Sequence, residues 1–95
     1  MMSEELFKEL TNIIKKRRKE LPKKSYISSL FKKGKVKIAN KLGEEAVETI
    51  SAYLNQGNKE ILEESADLIF HLMILLEDSE LTLYDVEKTL KKRMR

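Results

Sequence analysis

Residues 35–78 read KVKIANKLGEEAVETISAYLNQGNKEILEESADLIFHLMILLED, and this stretch decides the fold. Val36, Ala39, Leu42, Ala46, Val47, Ile50 and Leu54 recur at helical spacing, which predicts a helix over 35–54 with one broad apolar face. Asn55-Gln56-Gly57-Asn58 has the composition of a turn. A second helix is expected over 59–78, amphipathic at first and then apolar nearly all round from Leu68 to Leu76, with His71 as the polar interruption. A stretch apolar on every side needs cover on every side. This helix is therefore expected at the centre of a bundle completed by a second copy of the chain.

Upstream, Leu6, Phe7, Leu10, Ile13 and Ile14 predict an amphipathic helix over 3–20, capped by Ser3 and stopped by Pro22. Residues 26–33 read as a short helix ending at Gly34. Downstream, Thr82-Leu83-Tyr84-Asp85 forms a capping box, with Asp in place of the usual Glu, that opens a last helix to about Met94. Strand-like alternation is absent throughout. The expected fold is all-α, a single domain over 1–95. A helical hairpin completes a four-helix bundle by dimerisation, with flanking N- and C-terminal helices.

Of the 95 residues, 41% are hydrophobic and 37% charged, which excludes disordered, collagen-like and membrane classes. The absence of cysteine removes disulfide frameworks, thiol nucleophiles and Cys-based zinc sites, and one histidine rules out a multi-imidazole zinc centre. The acidic start Met1-Met2-Ser3-Glu4-Glu5 is unlike a targeting peptide, so a cytoplasmic location is expected. Charge is strongly partitioned. Residues 1–41 carry 13 Lys and Arg against 4 Glu, while residues 42–80 carry 10 acids against a single Lys. A uniformly basic chain would point to nucleic acid. A basic half beside an acidic half points instead to a metal held by carboxylates, with lysines near a polyphosphate.

Four acidic pairs at helical spacing stand in the acidic half: Glu45/Glu48, Glu60/Glu63, Glu64/Asp67 and Glu77/Glu80. Most such pairs are solvated faces, and position sorts them. With the turn centred near Gln56, residues whose numbers sum to about 112 lie level on the two helices. Glu45/Glu48 and Glu64/Asp67 satisfy this; Glu60/Glu63 and Glu77/Glu80 face no acidic counterpart. Small neighbours (Gly43, Ala46, Ser65, Ala66) allow the backbones to approach so that four carboxylates converge. Like charges this close need a counter-cation, and all-oxygen ligands select Mg²⁺, with Mn²⁺ possible, over zinc. The expected metal ligands are Glu45, Glu48, Glu64 and Asp67. Lys37 and Lys41, one turn apart, lead along the same face to Glu44, which suits a triphosphate lying along the helix. On its own sequence context, His71 reads as a packed, hydrogen-bonded core residue.

The residues Ser25-Tyr26, Leu30, Gly34, Lys37-Ile38, Lys41-Leu42-Gly43-Glu44-Glu45 and Glu48, then Glu64, Ala66-Asp67-Leu68 and His71, closely resemble phosphoribosyl-ATP pyrophosphohydrolase. The acidic core alone is shared with the wider all-α nucleoside triphosphate pyrophosphohydrolase superfamily. Ile27 and Phe70 depart from the Thr and Tyr common at those places in the family. The resemblance implies Mg²⁺-dependent hydrolysis of phosphoribosyl-ATP to phosphoribosyl-AMP and pyrophosphate, the second step of histidine biosynthesis. It implies catalytic roles for Glu44 or Glu48 towards water and for Lys41 towards the leaving pyrophosphate. It adds Tyr26 and His71 to Lys37 and Lys41 as substrate-binding residues. The implied partners are a nucleotide and a second subunit, with a higher oligomer open, and neither nucleic acid nor membrane. Two alternatives stand beside it: a house-cleaning (deoxy)nucleoside triphosphate pyrophosphohydrolase, and a non-enzymatic helical adaptor or nucleic-acid-binding module.

Overall fold

The computed structural model describes residues 4–94, so the expected Ser3 cap lies outside the described residues. Five helices follow one another: α1 (Glu4–Glu20), α2 (Tyr26–Lys33), α3 (Lys35–Asn55), α4 (Asn58–Asp78) and α5 (Leu83–Arg93). No strand occurs among the described residues. The fold is all-α, as the periodicity indicates. No described helix is long and apolar enough to cross a membrane.

The central unit is the α3–α4 hairpin, with 21 residues in each arm, about 30 Å of helix. Its turn is tight, and Gly57 N–H donates to Glu60 Oε1 at 3.2 Å, satisfying a free donor where α4 begins. At the other end of α3, Gly34 has φ +97° and ψ −174°, a backbone region that side chains other than glycine's rarely enter. A Cβ there would meet nothing within 4 Å, so the backbone rather than crowding requires glycine. This corner lets α2 stop and α3 start one residue later.

α1 and α2 cover the open end of the hairpin. The core joins Ile14 of α1, Ile27 and Leu30 of α2, Ile38 of α3, and Met73 and Ile74 of α4. Full burial of each such side chain contributes about 1.5–3 kcal/mol. An ionic latch reinforces the seam. Glu77, nearly buried on α4, accepts from Lys15 Nζ at 2.9 Å and Arg18 Nη1 at 3.0 Å, and the same Arg18 nitrogen donates to the Glu77 carbonyl at 2.9 Å. α5 opens with Thr82 N–H donating to Asp85 Oδ2 at 2.9 Å and buries none of its own residues.

The apolar belt at 68–76 is covered in part within the chain: His71, Met73, Ile74 and Leu76 are buried, Met73 and Ile74 against Ile14 of α1, Ile27 and Leu30 of α2 and Ile38 of α3, while Ile69 is exposed. The apolar face of α3 is the exposed one: Val36, Val47, Ile50 and Leu54 lie open, while Ile38, Glu45 and Ala52 are buried. The periodicity located a face correctly but did not say which neighbour it meets.

Candidate active site

The carboxylates meet where α3 and α4 run level. One carboxylate oxygen from each of Glu45, Glu48 and Glu64 lies within 4.8 Å of the others. Thr49 ties the helices at this height, its hydroxyl shared between the carbonyls of Glu45 at 2.7 Å and Glu64 at 3.2 Å. Glu45 is buried, Glu64 half-buried and Glu48 exposed. Asp67 is exposed and stands outside the close trio, though its charge reaches both Glu45 and Glu64. Glu60 and Glu63 do not join the cluster.

Electrostatics marks the trio as strained without a cation. Burial, and then the charges of Glu48 and Asp67, push the Glu45 carboxyl above its ordinary range. Glu64 is pushed up to about 7, first because it shares a hydrogen bond with Glu48, then by burial and the neighbouring negative charges. Glu45 Oε2 and Glu64 Oε2 are buried without a hydrogen-bond partner. Buried carboxylate oxygens left unpaired are costly, and an all-oxygen set of this kind fits a hard divalent cation. The residues present therefore suit Mg²⁺ or Mn²⁺.

Lys41 sits beside the trio, with Nζ 3.3 Å from Glu44 Oε2 and 3.7 Å from Glu45 Oε1. Its hydrogen bond to exposed Glu44 is the largest influence holding its pKa above the usual lysine value. Lys37 lies one turn earlier, half-exposed. On the far side of Lys41, α2 delivers Tyr26, whose hydroxyl lies 2.8 Å from His71 Nε2. His71 is buried, and its Nδ1 donates to the Asp67 carbonyl at 2.7 Å. A carbonyl can only accept, so Nδ1 carries the proton and Nε2 offers a lone pair to Tyr26. Burial raises the Tyr26 pKa, against an opposing pull from Lys41.

Sequence reasoning missed what holds Tyr26 in place. Ser25 caps α2 by accepting from Ser28 N–H at 3.2 Å, and it also accepts from Arg17 Nη1 at 3.1 Å. Ser28, fully buried, donates its hydroxyl to the Arg17 carbonyl at 3.1 Å. The Ser25-x-x-Ser28 spacing after Pro22 was the available signal for this corner. Thr49 offered a signal too, one turn beyond Glu45 and nearly level with Glu64.

An all-helical hairpin thus gathers Glu45, Glu48 and Glu64 beside Lys41, the acidic core in which the sequence resembles the all-α pyrophosphohydrolases. The sequence profile described as phosphoribosyl-ATP pyrophosphohydrolase matches residues 7–94, and the chain belongs to that family. It is 44% identical over 91 residues to a phosphoribosyl-ATP pyrophosphatase of Metallosphaera sedula, covering 96% of this chain and 98% of that one. A phosphoribosyl-ATP pyrophosphatase of Zymomonas mobilis is 48% identical over 92 residues, covering 97% and 86% respectively. The histidine biosynthesis bifunctional protein HisIE of Thermotoga maritima is 45% identical over 87 residues; the match covers 92% of this chain and 44% of that longer protein. The family is one of hydrolases.

Proposed function

We propose that the chain hydrolyses phosphoribosyl-ATP to phosphoribosyl-AMP and pyrophosphate in histidine biosynthesis, with Mg²⁺ held by Glu45, Glu48 and Glu64 and with Asp67 at its margin. The observation that carries this reading is the level trio of carboxylates with two buried, unpartnered oxygens beside Lys41. When bound, a divalent cation neutralises triphosphate charge and polarises phosphorus towards attack.

The chain's own groups divide the remaining work. Glu48, the exposed member of the trio, orients water and accepts its proton as the oxygen bonds to the α-phosphorus; Glu44 is the alternative base. The bond from the α-phosphorus to the bridging oxygen breaks, and pyrophosphate departs with that oxygen. Lys41 and Lys37, on the same side of α3, stabilise the charge that grows on the departing group. Tyr26, held by His71, bounds the site from α2 and binds substrate through its hydroxyl. Because Lys41 starts paired with Glu44, a polyphosphate arriving there exchanges one anionic partner for another and leaves Glu44 free.

Pyrophosphate release is to be measured with phosphoribosyl-ATP against a panel of ordinary and modified nucleoside triphosphates, with Mg²⁺ and after its removal. Preference for phosphoribosyl-ATP and loss of turnover without divalent ions are expected. Equal or better turnover of simple triphosphates would reject the substrate, and full turnover without divalent ions would reject the metal.

A further inference from the structure

Threonine inside a helix often turns its hydroxyl back to the carbonyl four residues earlier. Thr49 does this with Glu45 at 2.7 Å, and Thr89 does the same with Asp85 at 3.2 Å. Thr49 alone of the two has a second acceptor, the Glu64 carbonyl on α4, at 3.2 Å. A hydroxyl carries one proton, so both carbonyls are drawn towards the same hydrogen. Among the described residues this is the only hydrogen bond from an α3 side chain to the α4 backbone.

The two carbonyls belong to members of the trio. Each marks the backbone from which a carboxylate extends, and each of those carboxylates has a buried Oε2 without a hydrogen-bond partner. The separation of the arms at Thr49 therefore sets the separation of Glu45 and Glu64. Buried apolar packing is thin at this height. Of the residues α3 buries, Ile38 lies seven before Glu45, and Ala52, with only a methyl group, lies seven after. Thr49 falls between Glu45 and Ala52 at spacings of four and three, on the same face. Repulsion among the acidic groups tends to spread the arms, and the shared hydroxyl opposes it.

Spreading matters differently to different cations. Mg²⁺ demands near-octahedral oxygens at about 2.0–2.1 Å, whereas Ca²⁺ accepts roughly six to eight at about 2.3–2.6 Å in flexible geometry. Pinned arms favour the smaller ion; looser arms lose that advantage. We propose that Thr49 is a positioning residue that biases the carboxylate site towards a small octahedral cation and away from Ca²⁺, by fastening the Glu45 and Glu64 backbones to one hydroxyl. This rests on the reading of the trio as a divalent-cation site. Thr49 needs no contact with cation or substrate and acts through the two glutamates.

Binding is to be measured on the whole chain without substrate, from the free Mn²⁺ signal in electron paramagnetic resonance. Mg²⁺ and Ca²⁺ serve as competitors, and the readout is the ratio of their affinities. Thr49→Val keeps the side chain's shape and removes the hydroxyl. It is expected to weaken Mg²⁺ binding by about tenfold and Ca²⁺ binding by less than about threefold, so the preference for Mg²⁺ falls several-fold. Thr49→Ser keeps the hydroxyl and should stay within about twofold of the wild-type ratio. Thr89→Val, which loses only a back-bond on α5, should leave the ratio unchanged. Circular dichroism checks helicity, and Thr49→Ala decides the matter if the valine variant loses it. A ratio that stays put or moves towards Mg²⁺ on loss of the Thr49 hydroxyl, an equal fall in Thr49→Ser, or a fall in Thr89→Val would overturn the proposal and leave the divalent site standing. A wild type that retains no Mn²⁺, or a Glu45→Gln variant that retains all of it, would instead reject the divalent site and this proposal with it.

Discussion

The Tyr26 hydroxyl and His71 Nε2, 45 residues apart in sequence, lie 2.8 Å from one another and join α2 to the acidic hairpin. His71 is itself fixed by the Asp67 carbonyl, so the orientation of Tyr26 is set by the backbone that carries an acidic site residue. Tyr26→Phe keeps the ring and removes the hydroxyl. It should lower kcat/KM about tenfold, near 1.4 kcal/mol, with little change in melting temperature, because the ring is half-exposed. His71→Ala opens a buried site and should also cost about 2–4 kcal/mol of stability. Steady-state kinetics paired with thermal unfolding separates the two effects.

Position on the hairpin sorts the glutamates. Glu45→Gln, Glu48→Gln and Glu64→Gln should each reduce divalent-dependent turnover by about a hundredfold or more. Glu60→Gln and Glu63→Gln, outside the trio, should change it less than about twofold. Asp67→Asn should fall between, since Asp67 acts on the trio from its margin. Equal losses across all six variants would show that level placement selects nothing.

Glu64 gives the divalent-free protein a pH dependence whose sign is fixed. Its folded-state pKa, about 7, exceeds the ordinary 4.5, so the folded chain holds this proton more tightly than the unfolded chain does. Stability should therefore rise as pH falls from 8 through 7 and level off below about 4.5 as far as this group is concerned. Glu64→Gln should remove much of that rise. Saturating Mg²⁺, which competes with the proton for the same oxygens, should lower the folded-state pKa of Glu64 and move this rise to lower pH. Thermal melts across this range, with chelator and with Mg²⁺, measure both effects.

The latch on Glu77 should matter to stability and not to chemistry. Arg18→Ala removes both a charge partner and a donor to the Glu77 carbonyl, leaving a nearly buried carboxylate short of partners. A loss of about 2 kcal/mol is expected. Lys15→Ala, whose side chain is 48% exposed, should cost about 0.5 kcal/mol or less. Denaturant unfolding gives the two values, and turnover per folded molecule should stay unchanged.

Much of this was legible in the sequence because it is local. Helix periodicity, Pro22, Gly34 and the Asn55–Asn58 turn set the elements to within a residue or two. Counting from the turn was enough to bring Glu45 and Glu48 level with Glu64. Asp67 stayed outside the closest set because level height does not fix rotation about the helix axis. The long-range ties were not legible. Nothing in local spacing pairs Lys15 and Arg18 with Glu77, or Tyr26 with His71. The apolar run at 68–76 called for cover in all directions, yet its composition could not say that Ile14, Ile27 and Leu30 would supply part of it. The same blindness hid the open side of α3, whose stripe has the same period whether it meets its own chain or another.

The Thr49 tie between the arms of the hairpin has a consequence for the order of assembly. It closes over 15 residues, whereas the Lys15–Glu77 link closes over 62. Chain entropy favours the shorter closure by about 1 kcal/mol, so the hairpin is the first long-range contact a collapsing chain can afford. The three glutamates are therefore expected to come together before α1 docks on the open end of the hairpin. A divalent ion, or a proton on Glu64, present at that moment eases the repulsion the young hairpin must overcome, and the ionic surroundings that serve the finished site also speed its making.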